Sequence, residues 1–286
     1  MFEPSLTQAV ERFAAVTQGV PDVELDREWA WEAYDSEGVR FAFFRTYEEL
    51  RELAVKTATE RSAQGAVASA AQRILAQYHT AYRDLQAALL GLEAAEADRE
   101  PAEGQWSPRR VVAHIVAAEA GFLVVVKYAL ERYRSGDGRP AEIPEKFWVA
   151  TLGEEAALRE MLEGPLEGIQ SHHQALHERV LREFVDMTAE ELAAPAMYWE
   201  GYELSLRFRL HRFESHLRQH TVQVDKTLQS IDHPPSEAKR LLRLIYAALA
   251  DAEGVTIGAW RVGAEMRQEV AEAISARTDE IKGVLA

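Results

Sequence analysis

The chain has 286 residues, of which 47% are hydrophobic and 28% are charged, a composition typical of a globular protein with a substantial buried core. Its formal net charge of −15 would repel a phosphate backbone, and no basic stripe with interleaved aromatic residues is visible, which argues against nucleic acid as a partner. Because the chain has no cysteine, disulfides, thiolate metal ligands and a cysteine nucleophile are all excluded.

The N-terminal part of the chain mixes helical and strand-like patterns. Apolar spacing predicts a short amphipathic helix over residues 4–18. The aromatic-rich segment 29–44, with a glycine-containing turn at 35–38, predicts a β-hairpin that docks on the helices rather than forming a binding platform. A helical pattern resumes over residues 47–61.

Four longer helices are predicted next, followed by a helical C-terminal region. Ser107 before Pro108 is a typical N-cap with proline at the first helical position, and Gly164-Pro165 predicts a break in the third helix. Apolar periodicity gives helices at about 66–92, 107–135, 153–184 and 204–231, then two more after Ser236 and Val262. The predicted fold is all-α: a four-helix bundle over residues 66–233, an N-terminal helix with a small β-hairpin over 1–65, and a C-terminal helical extension over 234–286.

Three histidines are the strongest candidates for chemistry. His216 and His220 are four residues apart, so they share one helix face and present two nitrogens to a common ligand. His114 lies within the apolar helix VVAHIVAAEAGFL and could complete a three-imidazole site of the open catalytic type. A single HxxxH pair is more often a surface pair, and that alternative stays open on spacing alone.

The residues around these histidines resemble a known family. The first histidine lies in QWSPRRVVAHIVAAE (105–119) and the pair lies in LHRFESHLRQHTVQV (210–224). Both segments resemble signatures of the DinB/YfiT-like superfamily, on the second and the fourth bundle helix, and the resemblance covers about residues 66–231. It implies a DinB-like bundle in which His114, His216 and His220 bind a divalent metal.

Helical geometry sorts the neighbours of the three histidines. Gln223, Arg209 and Arg212 fall on the His216 face and are candidates to support a site there. An acidic residue recurs at the position of Glu119 in the resembling family, but Glu119 lies about 140° from His114 around the helix, so its role stays open. The His114 face carries the small residues Ala117, Ala118 and Gly121, which either leave room for a substrate or permit close helix packing.

A second HxxxH pair, His173 and His177, lies among charged residues. We expect it on a solvated helix face rather than in a site. His79 has no recognisable context.

The ligand set and the resemblance together indicate a function. Three neutral imidazoles suit Zn²⁺ or Ni²⁺ by the affinity order, with Fe²⁺ or Mn²⁺ as alternatives, and a divalent ion lowers the pKa of a bound thiol or water. The resembling superfamily includes thiol S-transferases that use bacillithiol or mycothiol, a mycothiol-dependent isomerase and proteins described only as metal-dependent hydrolases. The resemblance therefore implies a metal-dependent enzyme that activates a low-molecular-weight thiol or water for attack on a small electrophile. The alternative is a non-catalytic metal- or ligand-binding helical module. No catalytic residue is identified.

Partners and location are expectations from the same sequence. The N-terminal segment lacks the basic and apolar regions of a signal peptide, and the longest apolar run, GFLVVV, is too short to cross a bilayer. We therefore expect a cytoplasmic protein with a small-molecule substrate and no membrane partner. The segments flanking the bundle are expected either to cover it or to build a homodimer.

Overall fold

The computed structural model of the chain describes residues 4–31, 37–197 and 201–286. Within these ranges it contains twelve α-helices, one short 3₁₀ turn at Asp22–Asp26 and a two-stranded antiparallel sheet, which confirms the all-α prediction. The helices are α1 (Pro4–Thr17), α2 (Gly38–Ala63), α3 (Ala70–Ala88), α4 (Ala94–Ala97), α5 (Pro108–Arg134), α6 (Glu145–Leu152), α7 (Glu155–Glu163), α8 (Leu166–Phe184), α9 (Ala189–Ala193), α10 (Leu206–Ser230), α11 (Glu237–Gly254) and α12 (Ala264–Leu285). The strands are β1 (Pro195–Met197) and β2 (Glu203–Ser205), with Ala196 opposite Leu204.

The chain divides into two compact units. The first contains the described parts of residues 1–67, 83–92 and 234–286, and the second contains those of residues 68–82 and 93–233. The end of α3 therefore belongs to the first unit, and its longer N-terminal part belongs to the second.

The first unit is built from α1, α2, α11 and α12. Helix α2 packs against α11 and α12, and α1 packs against α12. Its core is apolar, with Phe13 and Phe43 in edge-to-face contact at 5.2 Å between ring centroids. One buried ion pair crosses it, since the Arg83 guanidinium donates to the Glu253 carboxylate at 2.7 Å. If one partner of such a buried ion pair is missing, the other charge stays buried without compensation, which is strongly destabilising. The pair therefore constrains which helices can pack together.

The expected β-hairpin at residues 29–44 is wrong where the structure describes it, because residues 38–44 are the first turns of α2. Residues 32–36 of the expected hairpin lie outside the described residues. Gly38 begins the helix at a φ of 68°, and a Cβ there would lie 3.0 Å from the carbonyl oxygens of Leu25 and Arg27. Val39, Ala42 and Phe43 are buried at helical spacing, so the aromatic-rich run is the core-facing side of a helix.

The second unit contains a four-helix bundle made from the N-terminal part of α3 together with α5, α8 and α10. Helix α5 packs against both α8 and α10, and Tyr78 of α3 contacts the Phe213 ring of α10 at 5.3 Å between centroids. Two predicted boundaries are confirmed: Ser107 caps α5 by accepting from the Arg110 amide, and a break separates α7 from α8 at Gly164-Pro165. Helix α6 lies between the second and third predicted bundle helices, where the sequence pattern predicts no helix.

Among the helices of the described residues, α5 alone is long and apolar enough to cross a membrane. Its mean hydropathy over the best 18-residue window is 1.7, but 67% of that window is buried inside the fold. A buried core helix of a soluble protein has the same composition, so the apolar face is explained by packing in the bundle.

Candidate metal site

Two helices of the bundle bring the three predicted histidines together. His114 is on α5, and His216 and His220 are on consecutive turns of α10. One ring nitrogen from each lies within 4.8 Å of one from each of the others. The imidazole centroids are 5.2 Å apart for His114 and His216, 4.6 Å for His114 and His220, and 4.3 Å for His216 and His220.

Burial and mutual proximity disfavour protonation of two of these imidazoles. Burial lowers the pKa of His216 to about 3, with further contributions from neighbouring His220 and His114 and from the Arg212 guanidinium. Burial, followed by the proximity of His220, also lowers the pKa of His114. At neutral pH these two side chains are therefore uncharged, which leaves a nitrogen lone pair on each.

The hydrogen bonds of the cluster leave ring nitrogens available. His220 Nδ1 lies 2.7 Å from Oε1 of Gln223, and since an amide oxygen only accepts, Nδ1 donates and Nε2 keeps its lone pair. His216 Nδ1 is buried without a hydrogen-bond partner in the part of the chain that the structure describes. Three nitrogen donors within reach of one point, one of them oriented by an amide, fit the ligand set of a divalent ion.

A pocket of about 690 Å³ adjoins the cluster within the second unit, and His114 forms part of its wall. Trp106 contacts the His114 ring at 5.0 Å between centroids and also lines the pocket. The remaining wall is mixed, with apolar and charged side chains from the segment before α5, the start of α5, and α7. They are Asp98, Glu100, Ser107, Arg109, Arg110, Ala113, Ala117, Glu155, Leu158, Arg159, Leu162 and Glu163. The volume lies in the range of pockets for small molecules.

The other residues expected near the site differ in their distance from the three histidines and in their contacts. Gln223 contacts His220 directly, and the Arg212 guanidinium lies 5.7 Å from the Phe122 ring, which itself packs against His216. Arg209 is buried and donates to the carbonyl oxygen of Tyr202 at 3.2 Å. Of the small residues on the His114 face, Ala117 lines the pocket, whereas Gly121 is buried and does not.

The expectation that His173 and His177 are solvated is wrong, since they are 3% and 2% exposed. His173 Nε2 lies 3.0 Å from Glu119 Oε2, which also accepts a hydrogen bond from the Tyr78 hydroxyl at 2.6 Å. Burial, then the nearby Glu119 carboxyl, raises the pKa of Tyr78 well above its usual range, so the phenol remains a donor. Glu119 therefore belongs to a polar cluster in the bundle core and is not a member of the three-histidine group.

The same core cluster includes His79. His79 Nδ1 lies 2.9 Å from His177 Nε2, and the Tyr82 ring stacks on His177 at 3.9 Å between centroids. One sequence signal could have revealed this burial, because His173 and His177 share their helix face with Ile169 and Val180, both fully buried. The charged neighbours that suggested solvation lie on other faces of α8.

The fold and the site together define the class of protein. It is a helical bundle in which three histidines from two helices form a cluster suited to a divalent metal. The family model described as DinB superfamily matches residues 77–224, just over half of the chain. The chain therefore belongs to the DinB superfamily, as the sequence motifs predicted. No curated protein and no solved structure matches the chain.

Proposed function

We propose that this DinB-superfamily protein binds one divalent metal ion through His114, His216 and His220 and is a metal-dependent enzyme acting on a small molecule. The observation that carries the proposal is the convergence of three imidazoles from α5 and α10 beside a pocket of about 690 Å³. A metal site that is to act on a substrate needs both protein ligands and space for the substrate.

The chain's own residues have distinct roles in this proposal. His114, His216 and His220 supply the nitrogen ligands, and Gln223 holds the ring of His220 in one tautomer. Trp106, Ala113 and Ala117 shape the part of the pocket next to His114. Small residues there leave space for a reacting group.

A bound divalent ion would supply Lewis acidity that makes a low-molecular-weight thiol or water a better nucleophile at neutral pH. Thiol transfer onto a small electrophile and hydrolysis are both reactions that this chemistry would support. An all-imidazole set favours Zn²⁺ or Ni²⁺, and Fe²⁺ or Mn²⁺ are alternatives that an open site also accepts.

A second candidate is a metal- or ligand-binding module without turnover. It is favoured by the composition of the cluster, since no carboxylate among the described residues joins the three imidazoles. In an enzyme, by contrast, proton transfer at such a cluster would have to come from the substrate or the solvent. We also propose a cytoplasmic location, in keeping with the burial of α5 and the absence of cysteine.

Elemental analysis of untagged protein tests the metal assignment. The wild type should carry about one divalent ion per chain, and His114→Ala, His216→Ala or His220→Ala should each lose most of it while far-UV circular dichroism stays unchanged. His211→Ala is the matched control, because His211 is on α10 but outside the cluster. Full occupancy in His216→Ala would show that the assignment is wrong. Assays of thiol transfer and hydrolysis, with and without metal, then separate the enzyme from the non-catalytic module.

A further inference from the structure

Arg110 differs from the other arginines that line the pocket in having no acidic partner. Arg109 is paired with Asp98, and Arg159 donates to Glu155 at 2.7 Å. The guanidinium of Arg110 makes no hydrogen bond or ion pair within the described ranges, and its recorded contact is with the Trp106 ring at 5.5 Å. In a chain with 47 acidic and 32 basic residues, a cation left unpaired in a pocket points to a ligand that pairs with it.

The position of Arg110 relative to the histidines gives this cation a defined place. Arg110 and His114 are four residues apart on α5, so they share a helix face at about one turn's separation, roughly 6 Å. Trp106 contacts both side chains, with the His114 ring at 5.0 Å between centroids. Arg110 is exposed at the wall of the pocket, where its guanidinium is accessible to a ligand and shares the Trp106 indole as a neighbour with His114.

We propose that Arg110 binds a carboxylate of the small molecule that reacts at the three-histidine site, an inference that rests on the proposed function. The ligand would place its reacting atom at the histidines and its carboxylate about one helical turn away. A planar guanidinium presents paired N–H donors that match the two oxygens of a carboxylate.

The other charges of the pocket restrict the charge of the ligand. Glu100 and Glu163 line the same pocket, and their carboxylates have no ion-pair partner among the described residues. These two negative groups disfavour an anion of high charge, since like charges in a shared pocket repel. A monocarboxylate is therefore favoured over a phosphate dianion.

Cobalt-loaded protein provides a test that does not depend on turnover. Binding of 3-mercaptopropionate and of 3-mercapto-1-propanol would be followed by the change in the cobalt(II) absorption spectrum. These thiols have the same number of carbons, and one ends in a carboxylate and the other in a neutral hydroxyl. The wild type should bind the carboxylate thiol about tenfold more tightly, the range of a hydrogen-bonded charge pair that is partly solvated.

Arg110→Gln should weaken binding of 3-mercaptopropionate about tenfold and leave 3-mercapto-1-propanol unchanged, because only the carboxylate partner is removed. Arg218→Gln is the matched control, since it makes the same charge change on an exposed arginine of α10 that is paired with Glu214. It should leave both affinities unchanged.

The outcomes separate the two proposals. If the wild type failed to bind cobalt at about one per chain, the proposed function and this inference would both be wrong. If cobalt bound normally but the two thiols bound equally, or if Arg110→Gln kept the preference for the carboxylate, the inference alone would be wrong. Displacement of 3-mercaptopropionate by inorganic phosphate at lower concentrations than by acetate would also overturn the carboxylate assignment.

Discussion

Replacing Glu119 by glutamine should destabilise the bundle without affecting metal binding. Glu119 is fully buried, and one carboxyl oxygen, Oε2, contacts both the Tyr78 hydroxyl and His173 Nε2. The other oxygen, Oε1, is buried without a hydrogen-bond partner among the described residues. In the glutamine variant the amide oxygen can still accept from both neighbours, but an amide NH₂ group, which needs a hydrogen-bond acceptor, replaces Oε1 at a position without a partner.

The magnitude follows from these contacts. A buried group left without a partner costs about 1–3 kcal/mol, so Glu119→Gln should lower the free energy of unfolding by about 1–2 kcal/mol. Glu119→Ala should cost about 3–5 kcal/mol, because both donors lose their acceptor and a cavity remains. Tyr78→Phe should cost about 1–2 kcal/mol through loss of one donor.

Urea unfolding followed by circular dichroism measures these changes as shifts in the midpoint at constant slope. A double-mutant cycle of Tyr78→Phe with Glu119→Ala should show coupling of about 1 kcal/mol, since each change alone removes the hydrogen bond that the two residues share. Metal content in Glu119→Gln should equal that of the wild type. Additive effects in the cycle would refute the assigned hydrogen bond, and loss of metal would refute the separation of Glu119 from the three-histidine cluster.

Three further outcomes are expected. Gln223→Ala should weaken metal affinity about 10- to 100-fold in a competition titration with a chelator, because the His220 ring loses the group that orients it; unchanged affinity would remove Gln223 from the site. Ala117→Leu should narrow the pocket, so that 3-mercapto-1-propanol binds cobalt-loaded protein more weakly while metal content stays at the wild-type level. If the thiol bound this variant as tightly as the wild type, it would reach the metal by a route that does not pass Ala117. Light scattering distinguishes the two roles expected for the flanking segments, covering the bundle or building a homodimer, and a monomer at micromolar concentration would leave only the covering role.

Several features were predictable because they depend on residues close together in the sequence. The cap at Ser107-Pro108, the break at Gly164-Pro165 and the spacing of His216 and His220 on one face all follow from local backbone geometry. The proximity of Gln223 to the histidine pair has the same origin, since Gln223 is three residues from His220. The motifs around His114 and around the pair His216 and His220 together predicted the family.

Where sequence reasoning failed, the outcome depended on partners distant in the sequence. The run after Gly38 contains apolar residues on adjacent positions, which fits either a strand or a buried helix, and the packing of Val39 and Phe43 into the core of the first unit decides for the helix. The sequence predicts a hairpin turn that includes Gly38, whereas in the structure Gly38 has a positive φ and begins α2. A local pattern of this kind is compatible with both a strand and a helix, and only packing against the rest of the unit decides between them.

The burial of His173 and His177 was likewise decided by tertiary structure. A histidine can be buried at low cost only if its ring nitrogens find partners, and here the partners are Glu119 on α5 and His79 on α3. The sequence by itself determined the approximate positions of the four bundle helices, the faces that carry imidazoles and the family to which the chain belongs. Only the tertiary structure decided which imidazoles converge at a pocket and which are held in the core, because hydrogen bonds and burial depend on side chains that different helices bring together.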